Sequence, residues 1–128
     1  MIYLDTSVAL VHILAEDRAP PPLLWDEALV SSRLLEYELW NRVHARGLAA
    51  SHAEAVRSLL HRVALLELAP PVLARAIEPF PIPVRTLDAI HLASLEFLRG
   101  QRVEIALASY DTRMLEAANR LGIPVFSL

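Results

Sequence analysis

Five short apolar runs recur along the chain, and stretches with helical periodicity separate them. Apolar runs bounded by polar residues are typical of buried strands. The predicted strands are residues 2–4, 28–31, 63–68, 103–108 and 123–126. Between them, apolar residues recur at three- and four-residue spacing, as on the buried face of a helix. This alternation predicts an α/β sandwich with a mainly parallel sheet.

Capping residues and prolines set the bounds of the predicted helices. Thr6 or Ser7 can cap the first helix, which ends near Ala15, and Ser32 and Thr86 are also good N-caps. A Ser51 to Glu54 capping box favours a further helix. Prolines indicate a loop or lid at 20–22 and an extended connector at 79–83. The predicted helices are residues 6–15, 32–47, 51–61, 70–77, 86–100 and 112–121.

Composition narrows the class of protein. The 128 residues are 55% hydrophobic, enough for one domain spanning residues 1–128. No cysteine is present, which excludes disulfides and thiolate metal sites. The apolar start is too short to span a membrane and lacks a basic leader, so we expect a soluble, cytoplasmic protein.

Missing residue types exclude several kinds of site. All twelve basic side chains are arginines, so a P-loop lysine or a Schiff-base lysine is ruled out. Glycine occurs only at 47, 100 and 122, so no dinucleotide-binding fingerprint or serine nucleophile elbow can be written. The net charge of −3 argues weakly against a broad nucleic-acid-binding surface.

Acidic residues recur where predicted strands meet predicted helices. Asp5 follows the first strand and Asp111 follows the fourth, each directly before a helix. Ligands bind at this carboxyl edge in open α/β sheets. An equally good explanation of Asp5 is that it only caps its helix.

Two predicted helices carry further candidates near their starts. Glu36 and Glu38 lie off the apolar stripe of their helix, and periodicity does not choose between them. Asp88 lies in the first turn of its helix, with His91 on nearly the same face. Taken singly, the acids are explained by the helix dipole and His91 by core or surface packing.

A parallel sheet would bring these acids together. Asp5, Asp88, Asp111 and one of the two glutamates belong to the same rim, where they would repel one another without a counterion. Carboxylates without cysteine or paired histidines favour Mg²⁺ or Mn²⁺ over zinc.

Four segments, in this order, carry a family resemblance. YLDTS, SSRLLEYELWNRV, TLDAIHLA and SYDTRMLEAANRLGIPV resemble the PIN-domain ribonucleases, most closely the VapC-type toxins of type II toxin-antitoxin systems. The resemblance implies a PIN-like three-layer α/β/α sandwich with a mainly parallel, five-stranded sheet. It also implies that Asp5, Asp88 and Asp111 are catalytic metal ligands, and Glu38 matches the fourth family acid better than Glu36.

The resemblance implies an activity and partners. We expect Mg²⁺- or Mn²⁺-dependent hydrolysis of RNA by water, leaving 5′-phosphate and 3′-hydroxyl ends. Thr6 and Ser109 are candidates for orienting the acids, and His91 for a helper near the substrate. Arginines 42, 85 and 113 are candidates for holding phosphates. A small antitoxin is expected over the region of Leu23, Trp25, Tyr37 and Trp40, and family members commonly form homodimers.

Other functions are compatible with parts of this pattern. A PIN nuclease of RNA maturation would carry the same acids, and a catalytically silent PIN-fold interaction protein would keep only the fold. A phosphoryl-accepting or nucleotide-binding module is disfavoured by the missing lysine and the missing phosphate-binding glycines.

Overall fold

A four-stranded parallel sheet with helices on both faces forms the protein, in a computed structural model that covers residues 1–128. The strands are β1 (Ile2–Leu4), β2 (Leu29–Ser32), β3 (Val63–Leu66) and β4 (Ala106–Ala108). The helices are α1 (Thr6–Leu14), α2 (Leu34–Ala45), α3 (Ala49–His61), α4 (Pro70–Ala76), α5 (Thr86–Gly100) and α6 (Thr112–Arg120). A 3₁₀ turn covers Pro22–Asp26.

The order of the strands creates a crevice at one edge of the sheet. The strands lie in the order β3-β2-β1-β4, all parallel. The chain therefore runs outward from β1 through β2 to β3 and then returns to the other side of β1. Connections on opposite sides of β1 leave an open crevice at the carboxyl ends of β1 and β4, where α/β proteins bind ligands.

Alternating side chains of β1 build both cores. Ile2 and Leu4 face a core formed with α1, α2 and α3, whereas Tyr3 faces a second core formed with α5 and α6. All three side chains are buried. The predicted three-layer α/β/α architecture is confirmed, and the layers hold the crevice between α1 and α2 on one side and α5 on the other.

The predicted fifth strand is reduced to a single bridge. Val125 pairs with Leu107 of β4, flanked by hydrogen bonds from Leu107 N to Pro124 O and from Phe126 N to Leu107 O, both 2.8 Å. Pro124 has no N–H to donate, and the ladder extends no further. The sheet therefore has four strands rather than five.

Several predicted element ends were also wrong. Strands β3 and β4 are shorter than their apolar runs. Ser51 lies inside α3 and donates to Leu48 O instead of opening the helix. Thr86 is the first helical residue of α5 and not its cap. Leu87 and Leu23 are 45% and 71% exposed. None of the helices has the length and apolar character needed to cross a bilayer.

Candidate active site

A cleft of about 540 Å³ opens at the carboxyl ends of β1 and β4. Four carboxylates from four different parts of the chain line it: Asp5, Glu38, Asp88 and Asp111. Arg42 and Arg85 line the same cleft, whereas Arg113, also expected to face substrate, is not part of its wall. Its wall thus holds more acidic than basic side chains.

Asp5 occupies the N-cap position of α1 without capping it. Its side chain makes no bond to the helix backbone. Instead Oδ2 accepts hydrogen bonds from the hydroxyls of Ser7, at 2.6 Å, and Ser109, at 2.8 Å. The side chain of Asp5 is only 4% exposed. Two neutral hydroxyl groups are therefore its hydrogen-bond donors in place of water. A capping role does not explain why an acid is buried here.

Asp111 differs from Asp5 because it does cap its helix. Its Oδ1 accepts from the backbone N–H groups of Arg113 and Met114, at 2.9 and 3.2 Å. Its Oδ2 contacts Arg85 instead. Ser109 connects the two acids, since its hydroxyl accepts the Asp111 N–H at 3.0 Å and donates to Asp5. Asp111 thus has one oxygen for the helix and one for the cleft.

The two candidate glutamates of α2 have different surroundings. Glu38 lines the cleft, and its Oε1 lies 2.8 Å from Thr6 Oγ1 and 2.6 Å from His91 Nε2. Burial alone would raise the pKa of Glu38, but these hydrogen bonds outweigh it and the pKa is lowered. Glu36 lies outside the cleft wall and pairs with Arg33 at 3.1 Å.

Asp88 and Asp111 share one arginine. Arg85 lies 3.0 Å from Asp88 Oδ2 through Nε and 2.8 Å from Asp111 Oδ2 through Nη2. The pKa of Asp88 is nevertheless raised, first by burial and further by the charges of Asp111 and Asp5, which Arg85 only partly offsets. Because Arg85 is itself 67% exposed, water screens its attraction. The ionised form of Asp88 is therefore disfavoured in the folded protein.

Two important neighbours of the acids were missed from the sequence. Ser7 donates to Asp5 and also accepts the backbone N–H of Tyr110 at 3.0 Å, joining α1 to the end of β4. Tyr3 lies behind the site and contacts His91. The sequence indicated a helix cap at Ser7 and a buried strand residue at Tyr3. No spacing rule marks either residue as part of a polar network.

The four carboxylates of the cleft are the kind of ligands that suit a hard divalent cation. Carboxylate oxygens are the ligands that Mg²⁺ and Mn²⁺ prefer. Burial and, after it, the charges of Asp111 and Asp5 raise the pKa of Asp88, and a cation beside it would favour its ionised form. In the geometry seen, no three histidine or acidic side chains converge as a ligand set. The guanidinium of Arg85 lies between Asp88 and Asp111 instead. A cation shared by those two acids would have to displace it.

Comparison with known proteins agrees with this arrangement. Residues 2–120 match the PIN domain family. The chain belongs to the PIN domain family. Three relatives from Mycobacterium tuberculosis are similar over nearly their whole length. Ribonuclease VapC35 is 35% identical, covering 98% of this chain and 95% of the relative. Ribonuclease VapC46 is 35% identical, covering 98% and 96%, and Ribonuclease VapC47 is 33% identical, covering 95% and 93%.

The raised pKa of Asp88 predicts an effect on the stability of the folded protein. Its pKa in the folded protein lies above its unfolded value, so the ionised form costs stability at neutral pH and this cost fades as pH falls to the unfolded value. Asp88→Asn should therefore raise the melting temperature of metal-free protein at pH 7, and the gain should shrink in acid. Thermal denaturation across pH measures this, with Glu36→Gln, a change at a half-buried acid outside the cleft, as the control. A variant less stable than wild type at pH 7 would contradict it.

Proposed function

We infer that this protein is a VapC-type PIN ribonuclease that uses Mg²⁺ or Mn²⁺ to hydrolyse RNA. The observation that supports this most is the meeting of four carboxylates in one cleft, at the edge where α/β sheets bind ligands. Relatives named ribonucleases, similar from end to end, support the choice of RNA as substrate. A surface used only for binding has no physical need to gather like charges.

Each residue of the cleft has a separate part in this proposal. Asp5, Glu38, Asp88 and Asp111 would hold the cation. When bound, a divalent cation makes a water molecule more acidic and offsets the charge that develops on the phosphate. Ser7, Ser109 and Thr6 fix Asp5 and Glu38 in place through their hydroxyls. Attack by water at phosphorus breaks the bond to the 3′ oxygen and leaves 5′-phosphate and 3′-hydroxyl ends.

Two arginines are placed to hold the RNA backbone. Arg42 of α2 and Arg85 lie in the cleft wall, where a planar guanidinium suits a phosphate. Arg85 has a second use in this scheme, because a cation that takes Asp88 and Asp111 would free its guanidinium for the substrate. Arg113 has no such position.

The proposed partner is a small antitoxin that covers the cleft. Tyr37 is 64% exposed and lies in the cleft wall, and Leu23, within the 3₁₀ turn Pro22–Asp26, is also exposed. Trp25 and Trp40 are partly buried against the core and offer less surface than expected. Toxin activity, action in the cytoplasm and homodimer formation belong to the same proposal.

Cleavage of RNA by purified, antitoxin-free protein tests the activity. A pool of structured and single-stranded RNA should be cut with Mg²⁺ or Mn²⁺ and not with chelator. Glu38→Gln and Asp88→Asn should each lose at least about a hundredfold in rate, since they remove a proposed cation ligand. Glu36→Gln, two residues away but outside the cleft, should cut at the wild-type rate.

Other outcomes would point elsewhere. Folded wild-type protein that cuts nothing under any of these conditions would favour a catalytically silent interaction protein. Loss of activity in Glu36→Gln with retention in Glu38→Gln would contradict the choice of Glu38 over Glu36.

Substrate binding gives a separate prediction for Arg42. With chelator present to prevent cleavage, Arg42→Ala should weaken binding of every RNA and reduce the slope of log affinity against log salt by about one. Arg46→Ala, at the C-cap of α2 and outside the cleft wall, is the matched control. Equal slopes for both variants and wild type would exclude a phosphate contact by Arg42.

A further inference from the structure

A buried chain of hydrogen bonds runs from the sheet to the candidate site. The backbone N–H of Ser32 donates to Tyr3 Oη at 3.1 Å, Tyr3 Oη lies 2.7 Å from His91 Nδ1, and His91 Nε2 lies 2.6 Å from Glu38 Oε1. Tyr3 and His91 are 0% and 1% exposed. The chain therefore connects the core beneath α5 to a carboxylate in the cleft without passing through solvent.

The hydrogen-bond partners fix the proton on Nε2 of His91. An ionised carboxylate only accepts, so Nε2 must carry a proton that points at Glu38. Burial alone would lower the pKa of His91, but the hydrogen bond to Glu38 and the charges of Asp5, Glu38 and Asp88 outweigh it and raise the pKa, which favours the charged ring. The Tyr3 hydroxyl donates to Nδ1 of a neutral ring or accepts from Nδ1–H of a charged one, and Nε2–H faces Glu38 in both forms. The ring planes of Tyr3 and His91 lie at 84°, edge to face, which holds the imidazole against rotation.

Glu38 receives a second donor at the same oxygen. Thr6 Oγ1 donates to Oε1 at 2.8 Å, and Thr6 also lies 3.3 Å from His91 Nε2. Neither bond uses Oε2. Both hydrogen bonds therefore hold Oε1 of the Glu38 carboxylate, and Oε2 is left for a ligand in the cleft.

We propose that His91, oriented by Tyr3, is a positioning residue that fixes the carboxylate of Glu38 for cation binding and RNA hydrolysis. The role rests on the proposed function of the site. It differs from the two interpretations that the sequence offered, because His91 is neither a free helper beside the substrate nor only a space-filling core residue. An apolar side chain would fill the same space without the cost of burying an imidazole.

Three variants separate positioning from packing. His91→Leu removes both hydrogen bonds, whereas His91→Gln keeps an N–H donor near the position of Nε2. Tyr3→Phe removes only the hydroxyl that orients the ring and keeps the aromatic packing. Leu92→Ala, at a buried apolar neighbour on α5 that has no group to hydrogen-bond Glu38, is the control for loss of stability alone.

The first readout needs no activity. The pKa of Glu38 in metal-free protein, followed by carboxyl carbon NMR, should rise in His91→Leu, rise less in Tyr3→Phe and stay near wild type in His91→Gln and Leu92→Ala. The lowered pKa of Glu38 in the wild type gives the starting point. This measurement decides the positioning role even if the wild-type protein does not cut RNA.

The second readout is the split between kcat and KM. His91→Leu should lower kcat for RNA about 10- to 100-fold with little change in KM, the usual effect of losing a residue that orients a metal ligand, and His91→Gln should recover most of it. Equal stability losses in His91→Leu and Leu92→Ala, with the Glu38 pKa and kcat unchanged in both, would overturn the proposal. If His91→Leu does not fold, Tyr3→Phe carries the same test.

Discussion

The repulsion among four carboxylates at one sheet edge is the constraint on which the structure of the site depends. Asp5 and Asp111 follow the two strands that lie on either side of the crevice, and Glu38 and Asp88 enter it from helices on opposite faces of the sheet. The parallel arrangement brings them together regardless of their distance in sequence. A site of this kind must be held by the surrounding fold, since like charges do not assemble on their own.

The protein holds each acid by a different means. Two serine hydroxyls hold Asp5, a backbone cap holds Asp111, and a threonine with a buried histidine holds Glu38. Asp88 has only the exposed Arg85 as partner, and burial together with the charges of Asp111 and Asp5 raises its pKa. Ionised Asp88 therefore lowers the stability of the folded protein at neutral pH. Arg85 is also the only cation paired with two of the acids, so cation binding and release of Arg85 are expected to be coupled.

Sequence patterns were sufficient to predict the three layers of the fold and to place the acidic residues at the ends of strands and the starts of helices. Apolar runs located the strands, helical periodicity located the helices, and the family resemblance indicated the four acids. The patterns were not sufficient where the outcome depends on contacts between distant segments. Glu36 and Glu38 both lie off the apolar stripe of α2, so periodicity does not choose between them. In the fold, Thr6 and His91 contact Glu38, whereas Glu36 pairs with Arg33. Asp5 and Asp111 look alike in sequence, yet one caps its helix and the other does not. The last strand failed because Pro124 offers no donor.

We propose that the four carboxylates bind a divalent cation in common. Calorimetric titration of metal-free protein with Mn²⁺ tests this binding without any RNA. We expect saturable binding that weakens about tenfold or more in Asp5→Asn and in Asp88→Asn, and that is unchanged in Glu36→Gln. Binding of equal strength in all four proteins, or no saturable binding by the wild type, would contradict it.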